Sequence, residues 1–336
     1  MKEIFYKILN MGLWGNITLP EGSFIDNKEA DDIIEAGRLQ AVSGIITDGI
    51  HDGKIRLGEN QGIRCVQLKL TIDRQNKKIE NLGNRIIEDL ENTGFKAEIF
   101  KGISVGKWYR NPHSRSFGDI DVVVNKGFDK IENLLQGKGI KYNIEHGDIV
   151  CSVNGISVEF HRYREFTYNP FTDKKLKSLL REYPNSNELY LACIMLHIRR
   201  HVITYGIGMK QICDVAVMLR YAELDMNMLC KFIKELNMEK FAAALFGFIK
   251  RRFGEEVKVY PIKPDCGSNS LFLEDIVWND GYLLKKQREK HNSLKSSLTR
   301  ICGNTWFWLK RSVRMMRIIP DESMFFIPYM IKRRLF

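Results

Sequence analysis

Apolar residues at intervals of three and four predict helices along the first part of the chain. One amphipathic stretch runs from 28 to 44, where Gly44 is predicted to end it. A longer one runs from about 64 to 93 and carries six apolar residues at helical spacing: Leu68, Ile72, Ile79, Leu82, Ile86 and Leu90. We therefore predict an N-terminal helical region over residues 1–94.

Shorter apolar runs follow, and they predict strands. Residues Lys96–Phe100 and 120–124 are predicted strands, with a short helix over 103–108 between them. A further helix is predicted over 126–136. After it, Asp148–Val153 and Ile156–His161 are alternating runs on either side of an Asn-Gly pair. Asn-Gly in this position is the strongest short hairpin signal, because both residues tolerate the positive φ of a type I′ turn.

The two-residue turn also sets the hairpin register. If Val153 pairs with Ile156, then Glu159 lies opposite Val150 and His161 lies opposite Asp148. Side chains alternate between the two faces of a strand. Asp148, Glu159 and His161 are therefore predicted to share one face of the sheet.

After residue 170 the pattern is helical again. Helices are predicted over 174–180, 186–202, 210–222, 226–235 and 239–253, then within 265–290 and over 294–319, where Pro320 is predicted to end a basic, aromatic helix before a short tail. This order predicts an α+β fold, a small mixed β-sheet flanked by helical regions. The predicted domains are 1–94, 95–170 and 171–336.

Composition narrows the class of protein. The chain has 336 residues, 44% hydrophobic and 28% charged, which is ordinary for a globular protein. Its 7 cysteines include no C-x-x-C pair, so a reducing, cytoplasmic location is expected, without a zinc or disulfide framework. No apolar run reaches the roughly 18 residues of a membrane-spanning helix, and the N-terminus lacks the features of a signal peptide.

Positive charge is concentrated near the C-terminus. Residues 281–336 hold 13 of the lysines and arginines against three acidic residues, which accounts for nearly all of the net charge of +11. Three interpretations are open: contact with nucleic acid or another acidic partner, contact with an anionic membrane surface, or a solvated helix face. Trp306 to Leu309 are consecutive and ring the predicted helix, which argues against the membrane interpretation.

The first candidate site residues are two carboxylates. Asp119 and Asp121 alternate with apolar residues in a predicted strand, so their side chains are expected on the same face. Adjacent carboxylates repel each other unless a cation lies between them, and Mg²⁺ or Mn²⁺ suits oxygen ligands. The alternative is an edge strand with a solvated acidic face.

Glu159 adds a third carboxylate if its strand lies beside that of Asp121. Three convergent carboxylates are what two-metal phosphoryl or nucleotidyl transfer requires, with Glu159 as a metal ligand or general base. Lys101 and Gly102 form a turn before a predicted helix, where backbone N–H groups and a cation can bind phosphate. Arg115 can pair with a phosphate in a bidentate manner.

These residues resemble the uncharacterised nucleotidyltransferase family of the polymerase-β-like nucleotidyltransferase superfamily. The resemblance is carried by Lys101, Gly102, Tyr109, Pro112, Arg115, Gly118, Asp119, Ile120 and Asp121, by Val158-Glu159-Phe160-His161, and by His197, His201 and Asp214. It implies a nucleotidyltransferase core in the predicted sheet, an NTP substrate and a divalent metal. The members' acceptors are mostly unknown, so the resemblance implies the type of reaction but not the acceptor.

The chain departs from the superfamily at one turn. The usual Gly-Ser is Lys101-Gly102 here, as in the abortive-infection type nucleotidyltransferase toxins, which this stretch also resembles. Ser104 is the candidate substitute for the missing serine.

Five residues are candidates for a supporting role around these carboxylates: His161, Asp148, His197, His201 and Asp214. For His161 the alternative is a plain cross-strand pair with Asp148. His197 and His201 are four residues apart on one helix face, a spacing that also suits zinc, although neighbouring arginines disfavour a metal.

The sequence therefore favours a metal-dependent nucleotidyltransferase that moves an NMP from an NTP to a hydroxyl of a protein, an RNA or a small molecule. The alternative is a catalytically weak nucleotide-binding module that regulates a partner.

Overall fold

The computed structural model describes residues 1–16, 19–20, 22–145, 147–204, 206–279 and 308–335. They form two compact units, Met1–Arg164 and Glu165–Phe336. The fold is α+β, with helices before and after one mixed sheet, as the sequence predicts.

Four helices open the first unit: α1 Lys2–Trp14, α2 Asn27–Leu39, α3 Ser43–Asp52 and α4 Glu59–Asn92. The single helix predicted over 28–44 is wrong, because α2 ends at Leu39 and Ala41 adopts a positive φ of 55°. Gly44 lies inside α3 and does not end a helix. A Cβ at Gly44 would lie 2.4 Å from the carbonyl oxygen of Ser114, so glycine here permits close backbone packing.

The sheet has five strands: β1 Lys96–Phe100, β2 Ile120–Lys126, β3 Tyr142–Glu145, β4 Asp148–Val153 and β5 Ile156–His161. Their order is β1-β2-β5-β4-β3, with β2 and β5 parallel and the other neighbours antiparallel. The sequence did not predict β3, because it is a four-residue edge strand with three exposed positions.

The predicted hairpin register is confirmed. Val153 pairs with Ile156 and Val150 pairs with Glu159. Asn154 and Gly155 have φ values of 52° and 76°, which satisfy the turn.

One face of the sheet is apolar and packs against helices of the same unit. Shorter helices lie between the strands: α5 Gly102–Gly106 after β1, and α6 Ile131–Gly137 after β2. The core joins residues of β2 and β5 to those of α4 and α6: Ile120, Val122, Val124, Val158, Phe160, Ile79, Leu82, Leu90, Ile131 and Leu135. Because strand side chains alternate, Asp121, Glu159 and His161 lie on the opposite face.

The second unit is helical in its described residues. Its helices are α7 Pro170–Glu182, α8 Asn187–Ile203, α9 Met209–Tyr221, α10 Met226–Glu235, α11 Glu239–Phe253, α12 Ser268–Asn279, α13 over 308–315 and α14 Pro320–Leu335. The helix predicted over 294–319 falls partly outside the described residues. Pro320 begins α14 instead of preceding a short tail, as proline favours the first turn of a helix.

Buried polar contacts hold the C-terminal helices within this unit. Arg199 and Glu322 are each 1% exposed and form an ion pair at 3.3 Å. Arg311 donates to the carbonyl oxygens of Val202 and Ile203, which are among the last carbonyls of α8. In the parts of the chain that the structure describes, no helix is both long and apolar enough to cross a membrane.

Candidate active site

Asp121 lies at the centre of the polar face of the sheet. It is the second residue of β2 and stands beside Phe100 of β1 and Glu159 of β5 in the strand register. Its side chain is almost fully buried. The adjacency of β2 and β5 therefore brings two of the predicted carboxylates together.

Two basic side chains contact the Asp121 carboxylate. Lys101 Nζ lies 3.0 Å and His161 Nε2 2.9 Å from Asp121 Oδ1. The other ring nitrogen, His161 Nδ1, lies 3.0 Å from Asp148 Oδ2, as the hairpin register predicts. Both ring nitrogens thus face carboxylates, an arrangement that suits the doubly protonated ring.

The charge of His161 follows from these contacts. Burial lowers the pKa of His161, but the hydrogen bonds to Asp121 and Asp148 outweigh burial and raise that pKa to about 9. His161 is therefore an imidazolium at neutral pH. It offsets negative charge on a carboxylate that would otherwise be costly to bury.

Glu159 is partly buried and lies among other charged side chains. Burial, followed by the charges of Asp121 and Asp119, raises the pKa of Glu159, while His161 and Lys101 oppose the shift. Asp119 itself is exposed and precedes β2. It is close enough to act on Glu159 through its charge, although it is not a strand residue.

A cation fits this arrangement. One carboxylate oxygen each of Asp121 and Glu159 and a ring nitrogen of His161 lie within 4.8 Å of one another. The two carboxylates can hold an ion, whereas His161 as an imidazolium offers charge balance and no ligand atom. Carboxylate oxygens suit Mg²⁺ and Mn²⁺, and a divalent ion here would relieve the repulsion that raises the pKa of Glu159. Among the described residues, no other cluster of three or more such side chains is this close together.

The turn after β1 has a strained backbone. Lys101 adopts φ 62° and ψ −153°, a combination that is common only for glycine, and Gly102 follows with φ 38°. The carbonyl oxygen of Lys101 accepts hydrogen bonds from both the backbone N–H and the hydroxyl of Ser104, each at 2.8 Å. These contacts hold the turn that points Lys101 at Asp121.

We expect Lys101→Gly to be more stable than Lys101→Ala by about 1 kcal/mol, because glycine adopts this backbone without strain. Both variants lack the ammonium group, so their free energies of unfolding in urea isolate the backbone effect. A Lys101→Ala protein at least as stable as Lys101→Gly would contradict the strain at this turn.

Arg115 follows a short 3₁₀ turn over Pro112–Ser114 and is only 4% exposed. Its guanidinium carbon lies 6.0 Å from the centre of the Phe117 ring. The sequence did not reveal that this segment is bound along its length by polar side chains of α4. One signal was available: Asn76 interrupts the apolar stripe of α4 and is buried.

His197, His201 and Asp214 lie in the second unit. His197 Nδ1 is 2.8 Å from Glu165 Oε2, and the rings of His197 and His201 are 4.3 Å apart. Glu165 is also bound by Arg200, whose Nε lies 2.9 Å from Oε1. Asp214 is buried on α9. A part for these residues in the active site stays a prediction.

Comparison with known proteins adds one finding. The model of a family described as uncharacterised nucleotidyltransferase matches residues 26–254, more than half of the chain. No curated protein matches the chain. No solved structure matches it either.

Proposed function

We propose that this chain, which belongs to the uncharacterised nucleotidyltransferase family, is a metal-dependent enzyme that moves an NMP from an NTP to an acceptor hydroxyl. The observation that carries the proposal is the pairing of Asp121 with Glu159 on adjacent parallel strands. Asp119, at the entry to β2, supplies the third carboxylate. Two carboxylates are placed side by side where a divalent ion relieves their repulsion.

In this proposal Asp119, Asp121 and Glu159 hold Mg²⁺ or Mn²⁺. A bound ion supplies charge neutralisation at the triphosphate and lowers the pKa of the acceptor hydroxyl. If Glu159 does not bind the ion, its carboxylate can act instead as the general base for the acceptor hydroxyl.

Lys101 and His161 contact Asp121, and Arg115 is a third basic residue assigned to the triphosphate in this proposal. Lys101 lies against Asp121 and supplies an ammonium group to the triphosphate, beside backbone N–H groups of the turn formed with Gly102 and Ser104. Arg115 supplies a guanidinium that can bind a phosphate through two hydrogen bonds. His161, held by Asp148, keeps the Asp121 carboxylate in one orientation.

The acceptor is not defined by these residues. An acidic partner or nucleic acid at the basic C-terminal region remains part of the proposal, but not all of that positive charge is free for it. Arg311 is buried against α8, Arg314 lies 3.3 Å from Asp275, and Arg317 donates to Asn269 at 3.0 Å. Six other basic residues of the region lie within 280–307, outside the described residues.

The test is label transfer from each of the four NTPs in the presence of Mg²⁺ or Mn²⁺ and cell extract. Wild-type protein should transfer label, the double variant Asp119→Ala/Asp121→Ala should not, and Asp129→Ala should behave as wild type. Asp129 is a suitable control because it is a 79% exposed carboxylate near the end of β2. Nucleotide binding without transfer would favour the regulatory alternative, and neither binding nor transfer would overturn the proposal.

A further inference from the structure

One face of α4 binds residues 113–117, the segment that leads into the candidate active site. Lys69, Asp73, Asn76 and Glu80 follow each other at intervals of four, three and four, so they line one side of the helix. All four contact residues between His113 and Phe117. This segment ends two residues before Asp119.

Asn76 makes the central contacts. Its Nδ2 donates to the carbonyl oxygens of His113 at 2.7 Å and Arg115 at 2.8 Å, and its Oδ1 accepts from the backbone N–H of Phe117 at 3.0 Å. These partners are alternate residues of the segment. The Asn76 side chain therefore binds the segment much as a neighbouring strand would, because all three of its partners are backbone groups of the segment.

The burial of Asn76 shows that these bonds are specific. Asn76 is 1% exposed, and a buried amide is costly unless it is hydrogen-bonded. A leucine at this position would have a similar volume, but it would lose all three of these hydrogen bonds. The amide is suited to holding the segment and not to packing the helix.

Residues of α4 on either side of Asn76 also bind this segment. His113 lies between Asp73, 3.1 Å from Nδ1, and Glu80, 2.9 Å from Nε2. Lys69 Nζ donates to Ser114 Oγ at 2.8 Å, and both groups also contact Asp48 of α3.

We infer that Asn76 is a positioning residue, which acts through Arg115. The inference rests on the proposed function, because Arg115 is assigned there to the triphosphate. Fixing the Arg115 carbonyl oxygen fixes the point from which the guanidinium extends, so the loss of Asn76 should impair NTP binding even though its amide touches no substrate.

A double-mutant cycle tests this role on the full chain, with the four fluorescently labelled NTPs and Mg²⁺ as probes. Arg115→Ala should raise the Kd of the NTP that binds best by roughly tenfold to a hundredfold. Asn76→Ala should raise it by about tenfold, and the double variant should be no weaker than Arg115→Ala alone. Asn84→Ala, an exposed asparagine on the same helix, should leave the Kd unchanged.

The non-additivity separates positioning from general stability. A merely structural Asn76 would lower stability, but its effect on the Kd would add to that of Arg115→Ala. If Asn76→Ala does not fold, Asn76→Asp provides the same cycle, because it keeps an acceptor for the Phe117 N–H and removes the donor to the Arg115 carbonyl oxygen. Additive losses in a wild-type background that binds NTP would overturn the positioning role alone. If wild-type protein binds no NTP, the proposed function fails and this inference fails with it.

Discussion

Asp121→Asn should reduce label transfer by at least about 10³-fold, whereas His161→Gln should reduce it by roughly tenfold. In the proposed function Asp121 contacts the ion directly, and losing several kcal/mol of charge stabilisation corresponds to a factor of this size. His161 contacts Asp121 and Asp148, so it acts on the reaction by orienting and neutralising Asp121. The measurement is the initial rate of transfer at saturating Mg²⁺.

The asparagine variant keeps the shape of the side chain and removes its charge. Lys101 and His161 then face each other across a neutral group, so folding must be checked by circular dichroism before the rates are compared. Asp129→Asn is the matched control, because it removes an equivalent but exposed carboxylate of the same unit. Equal losses for Asp121→Asn and His161→Gln would contradict this division of roles and would place His161 at the ion.

The parts of this site that the sequence predicted are those set by local rules. The Asn154-Gly155 turn specifies its own register, because two residues with positive φ close the hairpin in only one way. Because side chains alternate between the two faces of each strand, that register places Asp148, Glu159 and His161 on one face. These predictions needed no knowledge of the rest of the chain.

Other features depend on chain segments that meet only in the folded protein. The approach of Glu159 to Asp121 requires the parallel pairing of β2 with β5, which the sequence left conditional. The contact of Lys101 with Asp121 requires the strained turn after β1, and nothing in a Lys-Gly pair specifies φ 62° at the lysine.

Gly44 and Asn76, both in the first unit, show the same limit. Gly44 was expected to end a helix, because a glycine after an apolar stretch commonly does. The structure uses it for close packing of α3 against the backbone of Ser114, a contact between positions 70 residues apart. The role of Asn76 was not predicted, since its partners lie in a segment with no periodic pattern.

The charges of the site favour one physical account of how it folds without a metal. Asp121 is buried beside Glu159, and burying such a pair is costly unless cations compensate for it. Lys101 and His161 supply that compensation from the turn after β1 and from the end of β5. The unit can therefore fold without an ion, because the positive charge of His161 offsets part of the desolvation cost of burying Asp121.

The free energy of unfolding should consequently fall between about pH 6.5 and pH 9 when a chelator is present. The pKa of His161 is about 9 in the folded protein against an ordinary value of 6.5, so the folded state binds the proton more tightly. This stabilisation is fully present below pH 6.5 and is lost as the pH rises through 9. A difference of this size corresponds to about 3 kcal/mol.

His161→Gln isolates the effect, because glutamine can still donate a hydrogen bond to Asp121 but does not titrate. Burial also raises the pKa of Glu159, and the charge of His161 opposes that shift, so both proteins should carry Glu159→Gln to remove this second titration. Urea unfolding at half-unit pH steps should show the wild-type advantage shrinking towards pH 9.5. A constant difference between wild type and variant across this range would mean that His161 is not the imidazolium that neutralises Asp121.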